Sequence, residues 1–168
     1  IVMQNLRIGD LDSVAPELRP ESRYNQDNAY FTSHYGLSSD QFVIIVKTNE
    51  EGCRLYGALL KMDALAQALR QDPAVQTTIS LAETTRYITS AMFEGSAKWL
   101  ALNRDQAILN AAVSAGIISS PDITNPQCSV SPLVTYLTDH KADTLTRILA
   151  ISEQFAGENN TLDGEHPI

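Results

Sequence analysis

No apolar run in the chain approaches the roughly 18 to 20 residues needed to cross a bilayer, because Lys, Arg or Asp interrupts each candidate. Basic residues are few: 12 Lys and Arg stand against 20 Asp and Glu, a formal charge of −8 and a pI of about 4.7. A field of that sign repels phosphate backbones and anionic headgroups, so no nucleic-acid partner is expected. Arg7, Arg19, Arg23, Lys47, Arg54 and Lys61 are scattered singly, and no local patch reverses the balance. Phosphate loops of the G-x-G-x-x-G or G-x4-G-K kind are missing, which argues against nucleotides. The nucleophile elbow G-x-S-x-G is missing too, and Ser, His and Asp without it do not make a triad. Two cysteines and three histidines (His34, His140, His166) show no ligand spacing, and Asp10 and Asp12 fail the EF-hand pattern and fit an Asx-type turn better. No cofactor, no metal and no enzymatic activity are expected. Asn159-Asn160-Thr161 matches a glycosylation acceptor, a pattern too short to carry a function.

What is present is enough apolar material, 43% of 168 residues, for one domain with a real core. The start Ile1-Val2-Met3 has no basic n-region before an apolar core, so no signal peptide is read there. The chain reads as a piece of something longer, although a processed mature protein would begin the same way.

Residues 1–40 have little periodicity, with Gly9, Asp10, Asp12, Pro16 and Pro20 dictating turns, and are read as an extended lead-in. Gln41 to Thr48 holds a β-branched run too short for a helix, which predicts a central strand covered on both faces. After the turn at Asn49 to Gly52, apolar residues at Leu55, Leu59, Met62, Ala66 and Leu69 have helical spacing, and Pro73 stops them. Val75 to Leu81 alternates with the period of a half-buried strand, completing a β-α-β unit. A helical insertion follows at about 84–115, weak at Gly95, with a second helix from Arg104 to Val113. Ser119 to Pro132 is loop, and Leu133 to Thr138 a third strand. A last helix carries Leu145, Ile148, Leu149, Ser152 and Phe155 on one face, closed by Gly157.

The expected fold is therefore α+β: a ferredoxin-like split β-α-β domain over 41–160, with a helical insertion between strands 2 and 3 and its final strand missing. The tail 161–168 is polar. A bare strand edge is a hazard, and either Gln4 to Ile8 or a neighbouring molecule is expected to cover it.

In that arrangement the first and third strands are antiparallel neighbours. Cys53 follows the first by five residues and Cys128 precedes the third by five, so the topology brings the two together. A disulfide there closes a long loop, worth on the order of 4 kcal/mol through lost unfolded-state entropy, and implies an oxidising compartment such as the bacterial periplasm. Two free thiols are the alternative. Tyr24, Tyr30, Phe31 and Tyr35 are candidates for lining a hydrophobic passage, with packing of the lead-in as the plainer role. Asp139-His140-Lys141 offers an acid–base pair on paper, and a strand-to-helix turn explains it better.

Six stretches carry a resemblance to a known family: Ile8-Gly9-Asp10-Leu11-Asp12, Ala15-Pro16-Glu17-Leu18-Arg19-Pro20, Ser22-Arg23-Tyr24-Asn25, Val46-Lys47-Thr48, Lys61-Met62-Asp63-Ala64-Leu65, and Tyr136 through Leu145. Together they resemble the large periplasmic loops of RND-superfamily exporters, the MMPL-like or hydrophobe-amphiphile efflux group, and the second loop more than the first. The resemblance spans about Leu6 to Asn160. It implies a porter-type α/β domain on the periplasmic side of a bacterial inner membrane. It also implies contacts with the sister periplasmic loop and the parent transporter's transmembrane helices, self-association as a homo-oligomer, and amphiphilic or hydrophobic small molecules as ligands. The helices that couple proton flow to export are outside the chain. A stand-alone ferredoxin-like ligand-binding or assembly module is the competing expectation.

Overall fold

Five consecutive aromatic or β-branched residues, Phe42 to Val46, favour a pleated strand, and they form β1 (Gln41–Lys47) in the computed structural model, which describes residues 18–19, 21–35 and 40–160. A helix, α2 (Tyr56–Leu69), leads back along the sheet to β2 (Val75–Ile79). β3 (Val130–Leu137) then inserts between the two, antiparallel to both, giving the order β1-β3-β2. This is the split β-α-β order without a fourth strand among the described residues. Val134 sits at the centre of the outer face, paired with Val43 on one side and Ile79 on the other.

The opposite face carries the core. Val46, Leu133 and Leu137 point into it and cluster with Leu59 and Leu69 of α2 and Ile148 of α5 (Ala142–Asn159), and Thr135 is buried on the same face. The insertion adds α3 (Leu81–Met92) and α4 (Gln106–Ser119), which bring in Leu81, Leu109 and Val113. These two helices approach closely at Gly116, where an added Cβ would stand 3.2 Å from the Thr84 methyl.

Several expectations need correction. The lead-in is not extended throughout, because residues 23–35 form a helix, α1 (Arg23–Tyr35). Ser22 starts it, its hydroxyl accepting from the Asn25 amide at 3.2 Å, and Arg23 pairs with Asp27 one turn on. No apolar stripe of helical period marks that stretch, so periodicity could not find it. Among the described residues β1 is an edge strand, not a central one, and its outer face is open: Val43 is 46% exposed and Ile45 49%. The alternation of β2 is broken by a register shift between Val75 and Thr77, and its buried position is the polar Thr78 while Ile79 faces outward.

The helical insertion starts at Leu81, earlier than expected, because Ser80 and Glu83 make the start of a capping box, the Glu83 amide donating to Ser80 Oγ at 3.2 Å. α3 ends at Met92, where Glu94 and Gly95 adopt left-handed backbone, and α4 restarts on Asp105, whose carboxylate accepts from the amides of Ala107 and Ile108. β3 begins at Val130, three residues ahead of the expected start. Gly157 does not close α5. The helix runs on to Asn159, where the Lys61 ammonium donates to the Asn159 carbonyl at 2.7 Å and satisfies the C-terminal end. The stretch Gln4 to Ile8, the Asp10–Asp12 turn and the tail 161–168 lie outside the described residues.

Candidate functional site

The cysteines meet where β1 leaves the sheet and β3 enters it. Cys53 and Cys128 form a disulfide, with Cα atoms 5.2 Å apart and both residues buried. The backbone aligns them: Thr48, Glu51 and Cys53 donate to the carbonyls of Ser129, Gln127 and Cys128 at 2.8 to 3.0 Å. On the far side, Asn125 folds the loop by accepting from the amides of Ser129 and Val130. Gly52 is required here, since a Cβ would come within 2.7 Å of Thr48. Arg54 then ties the corner to α4 through Ser114 Oγ at 2.9 Å. The bond therefore pins the insertion to the sheet.

A second feature lies between α2, α3 and the short helical turn Ala97–Trp99. Asp63 and Gln67 of α2 and Arg70 at its C-cap follow one another at four and three residues and share a face; on α3, Glu83 and Arg86 do so at three. The facing charges are complementary. Arg86 donates to Asp63 Oδ1 at 2.9 Å while Gln67 donates to Oδ2 at 2.8 Å, so both carboxylate oxygens are occupied. Arg70 donates to Glu83 Oε1 and to Thr78 Oγ1, each at 2.7 Å, which explains how β2 can bury a threonine. Above this polar floor runs an open groove of about 250 Å³, with Tyr56, Leu60, Leu100 and Leu102 among its walls. A smaller depression of about 220 Å³ continues it past Arg86 to Tyr87. A larger one, about 430 Å³, lies between the α2–β2 turn and α5, and its charged lining residues, Asp72 and Glu158, are both acidic. Chemically the α2–α3 groove offers apolar walls and a neutralised charged base. Among the described residues no cluster of His, Cys, Asp or Glu could hold a metal ion, and no nucleophile stands beside a base in the groove.

The other sequence candidates are dispersed. Tyr24, Tyr30 and Phe31 stand exposed on α1, with Tyr30 stacked on His34 at 4.0 Å, and none of them lines a groove described here; the Tyr35 side chain lies outside the described residues. Asp139 and His140 do not pair with each other. Asp139 braces the entry to α5, accepting from the Thr144 hydroxyl at 2.7 Å and the Lys141 amide at 3.1 Å, whereas His140 Nδ1 lies 3.1 Å from Asp40 Oδ1. Asp72 makes a two-pronged contact with Arg147 at 3.0 and 3.3 Å, joining the α2–β2 turn to α5.

Two of these carboxyls titrate below their ordinary range. The Arg147 guanidinium holds Asp72 down against its burial. Burial by itself raises Asp139, but the Thr144 hydroxyl, the Lys141 amide and the nearby cations outweigh it. The folded chain thus binds protons at these sites less readily than the unfolded chain. Their stabilisation is complete above the unfolded value of about 4 and is lost as pH falls through the lower folded values. We expect the urea midpoint to drop steeply below about pH 4, and to drop less steeply in Asp72→Asn. Equal slopes for the two proteins would remove Asp72 from the account.

The α2–α3 charge pattern is the feature that sequence reasoning missed. Its signal was legible as two helix faces of matched, opposite charge, but only once both segments were assigned as neighbours. No protein-family model, curated protein or solved structure matches the chain.

Proposed function

We propose that the domain is a porter-like lobe of an RND-type exporter, on the periplasmic side of a bacterial inner membrane, which receives amphiphilic molecules and moves as a rigid body against its neighbours. The observation that carries the reading is the groove between α2 and α3. Apolar walls at Leu60, Leu100 and Leu102 suit a hydrocarbon portion, and the ion-paired base of Asp63 and Arg86 offers a polar end both signs of charge without holding a free ion. The buried disulfide supports an oxidising compartment. The two sets of ties, at the corner and across α2–α3, favour motion as one body.

The test is a fluorescence titration with N-phenyl-1-naphthylamine. Saturable binding with a Kd on the order of 10 to 100 µM is expected for a small open groove, and Leu60→Glu, an exposed position, should weaken it about tenfold. Absence of saturable binding, or binding indifferent to Leu60→Glu, would remove the groove as a receptor. A free-standing assembly module is favoured instead if the probe fails and the chain captures a defined protein partner.

A further inference from the structure

The two edges of the sheet are built differently. β2 has five residues, a polar middle of Gln76, Thr77 and Thr78, and an irregular register between Val75 and Thr77, features that blunt an edge. β1 has seven residues, pairs with β3 without a break, contains no proline and carries one charge, Lys47. Thr48 donates to the Ser129 carbonyl and Leu137 to the Asp40 carbonyl, so even-numbered positions of β1 exchange hydrogen bonds with β3. The N–H and C=O groups of Gln41, Val43, Ile45 and Lys47 therefore point outward, along an edge that no described strand covers.

We propose that this edge joins two copies of the chain, β1 running antiparallel to the same strand of its partner to make a six-stranded sheet. The strand is self-complementary in the register centred on Ile44. Gln41 then faces Lys47, Phe42 faces Val46, Val43 faces Ile45, and Ile44 faces its own copy. The pairs 41 with 47 and 43 with 45 are the outward-pointing ones, so this register satisfies the groups that no other described strand pairs. The even pairs set the half-buried Phe42 and Ile44 against the partner's Val46 and Ile44, extending the core side, while Val43 and Ile45 pair on the outer face. Asp40 falls opposite Thr48, and no like charges meet. A second copy is the occupant because β1 itself meets the hydrogen-bond phase, the apolar pairs on both faces and the uncharged-to-charged ends at once. This pairing stands apart from the exporter reading.

A single ladder makes a small interface, and two chains of charge −8 repel at long range, so association is weak and strengthens with salt, opposite to a dimer held by ion pairs. Analytical ultracentrifugation of the oxidised 168-residue chain tests it. The expected result is monomer near 1 µM, dimer near 200 µM, and a Kd that falls several-fold between about 20 and about 200 mM NaCl. Val43→Pro removes one outward N–H while sparing the β1–β3 ladder, and should abolish the dimer with far-UV circular dichroism retained. Val43→Thr keeps that N–H and should keep the dimer. If the proline variant unfolds, Ile45→Lys serves in its place, with at least a tenfold loss expected. A chain monomeric at 200 µM overturns the proposal whether the β1 amides exchange fast or slowly, slow exchange meaning that another segment of the same chain lies on the edge. A dimer indifferent to both Val43→Pro and Ile45→Lys also overturns it.

Discussion

Replacing Cys53 and Cys128 together with alanine is expected to lower the unfolding free energy by about 4 kcal/mol, the entropy of closing a loop of this length in the unfolded chain. The bond spans 75 residues and encloses the crossover helix, β2 and the entire insertion, so its loss frees the largest part of the unfolded ensemble. The fold should survive, because the Cys53 amide still reaches the Cys128 carbonyl and Asn125 still closes the loop. A thermal midpoint lower by about 10 °C with an unchanged far-UV spectrum is the expected signature. Reduction of the native chain should be slow without denaturant, since both sulfur-bearing residues are almost wholly covered. A double alanine variant within about 1 kcal/mol of the parent would show that the corner is held by its backbone bonds alone.

The second large effect is expected at Arg86. Its change to methionine leaves Asp63, whose side chain is 11% exposed, with Gln67 as its remaining partner and a negative charge in a poorly hydrated place. The cost is set at about 2 to 3 kcal/mol, below the value for a fully enclosed pair, because the Arg86 side chain is 26% exposed and partly screened. Removing both charges in Asp63→Asn with Arg86→Met should recover a good part of the loss, giving a coupling of about 1 to 2 kcal/mol in a double-mutant cycle. A coupling near zero in urea denaturation would mean that water already solvates Asp63 in the folded state.

The strand–helix–strand order could be read from the chain because each of its signals is local. A β-branched run made β1, spacing of three and four made α2, and the Leu133–Thr135–Leu137 parity made β3 with the burial expected of it. The cysteine pairing was legible for a different reason: once strands 1 and 3 were neighbours, topology left Cys53 and Cys128 little choice. What escaped was non-local or non-periodic. α1 has no apolar stripe and depends on Ser22 and intrahelical bonds. The buried Thr78 contradicts a hydrophobic reading of β2 and makes sense only with Arg70 and Glu83 beside it. The edge position of β1 among the described residues was hidden because a strand apolar on both faces reads as central, and that same mismatch is what the proposed β1–β1 association rests on.

The groove on α2 and α3 was illegible for a related reason. Its floor consists of charges spaced as on any solvated helix, and nothing in either segment alone says that Asp63 meets Arg86 and Arg70 meets Glu83. A solvated face and an interlocked one have the same sequence period. Burial separates them, and burial depends on the partner helix.

The exporter reading rests on the domain lying between hydrophobic anchors, and the sequence of the parent reading frame on both sides of Ile1 and Ile168 tests this most directly. The account predicts apolar spans of roughly 20 residues flanking the domain on each side, the one after it within a short distance of α5. Polar flanks on either side, or a reading frame coding for nothing further, would contradict it.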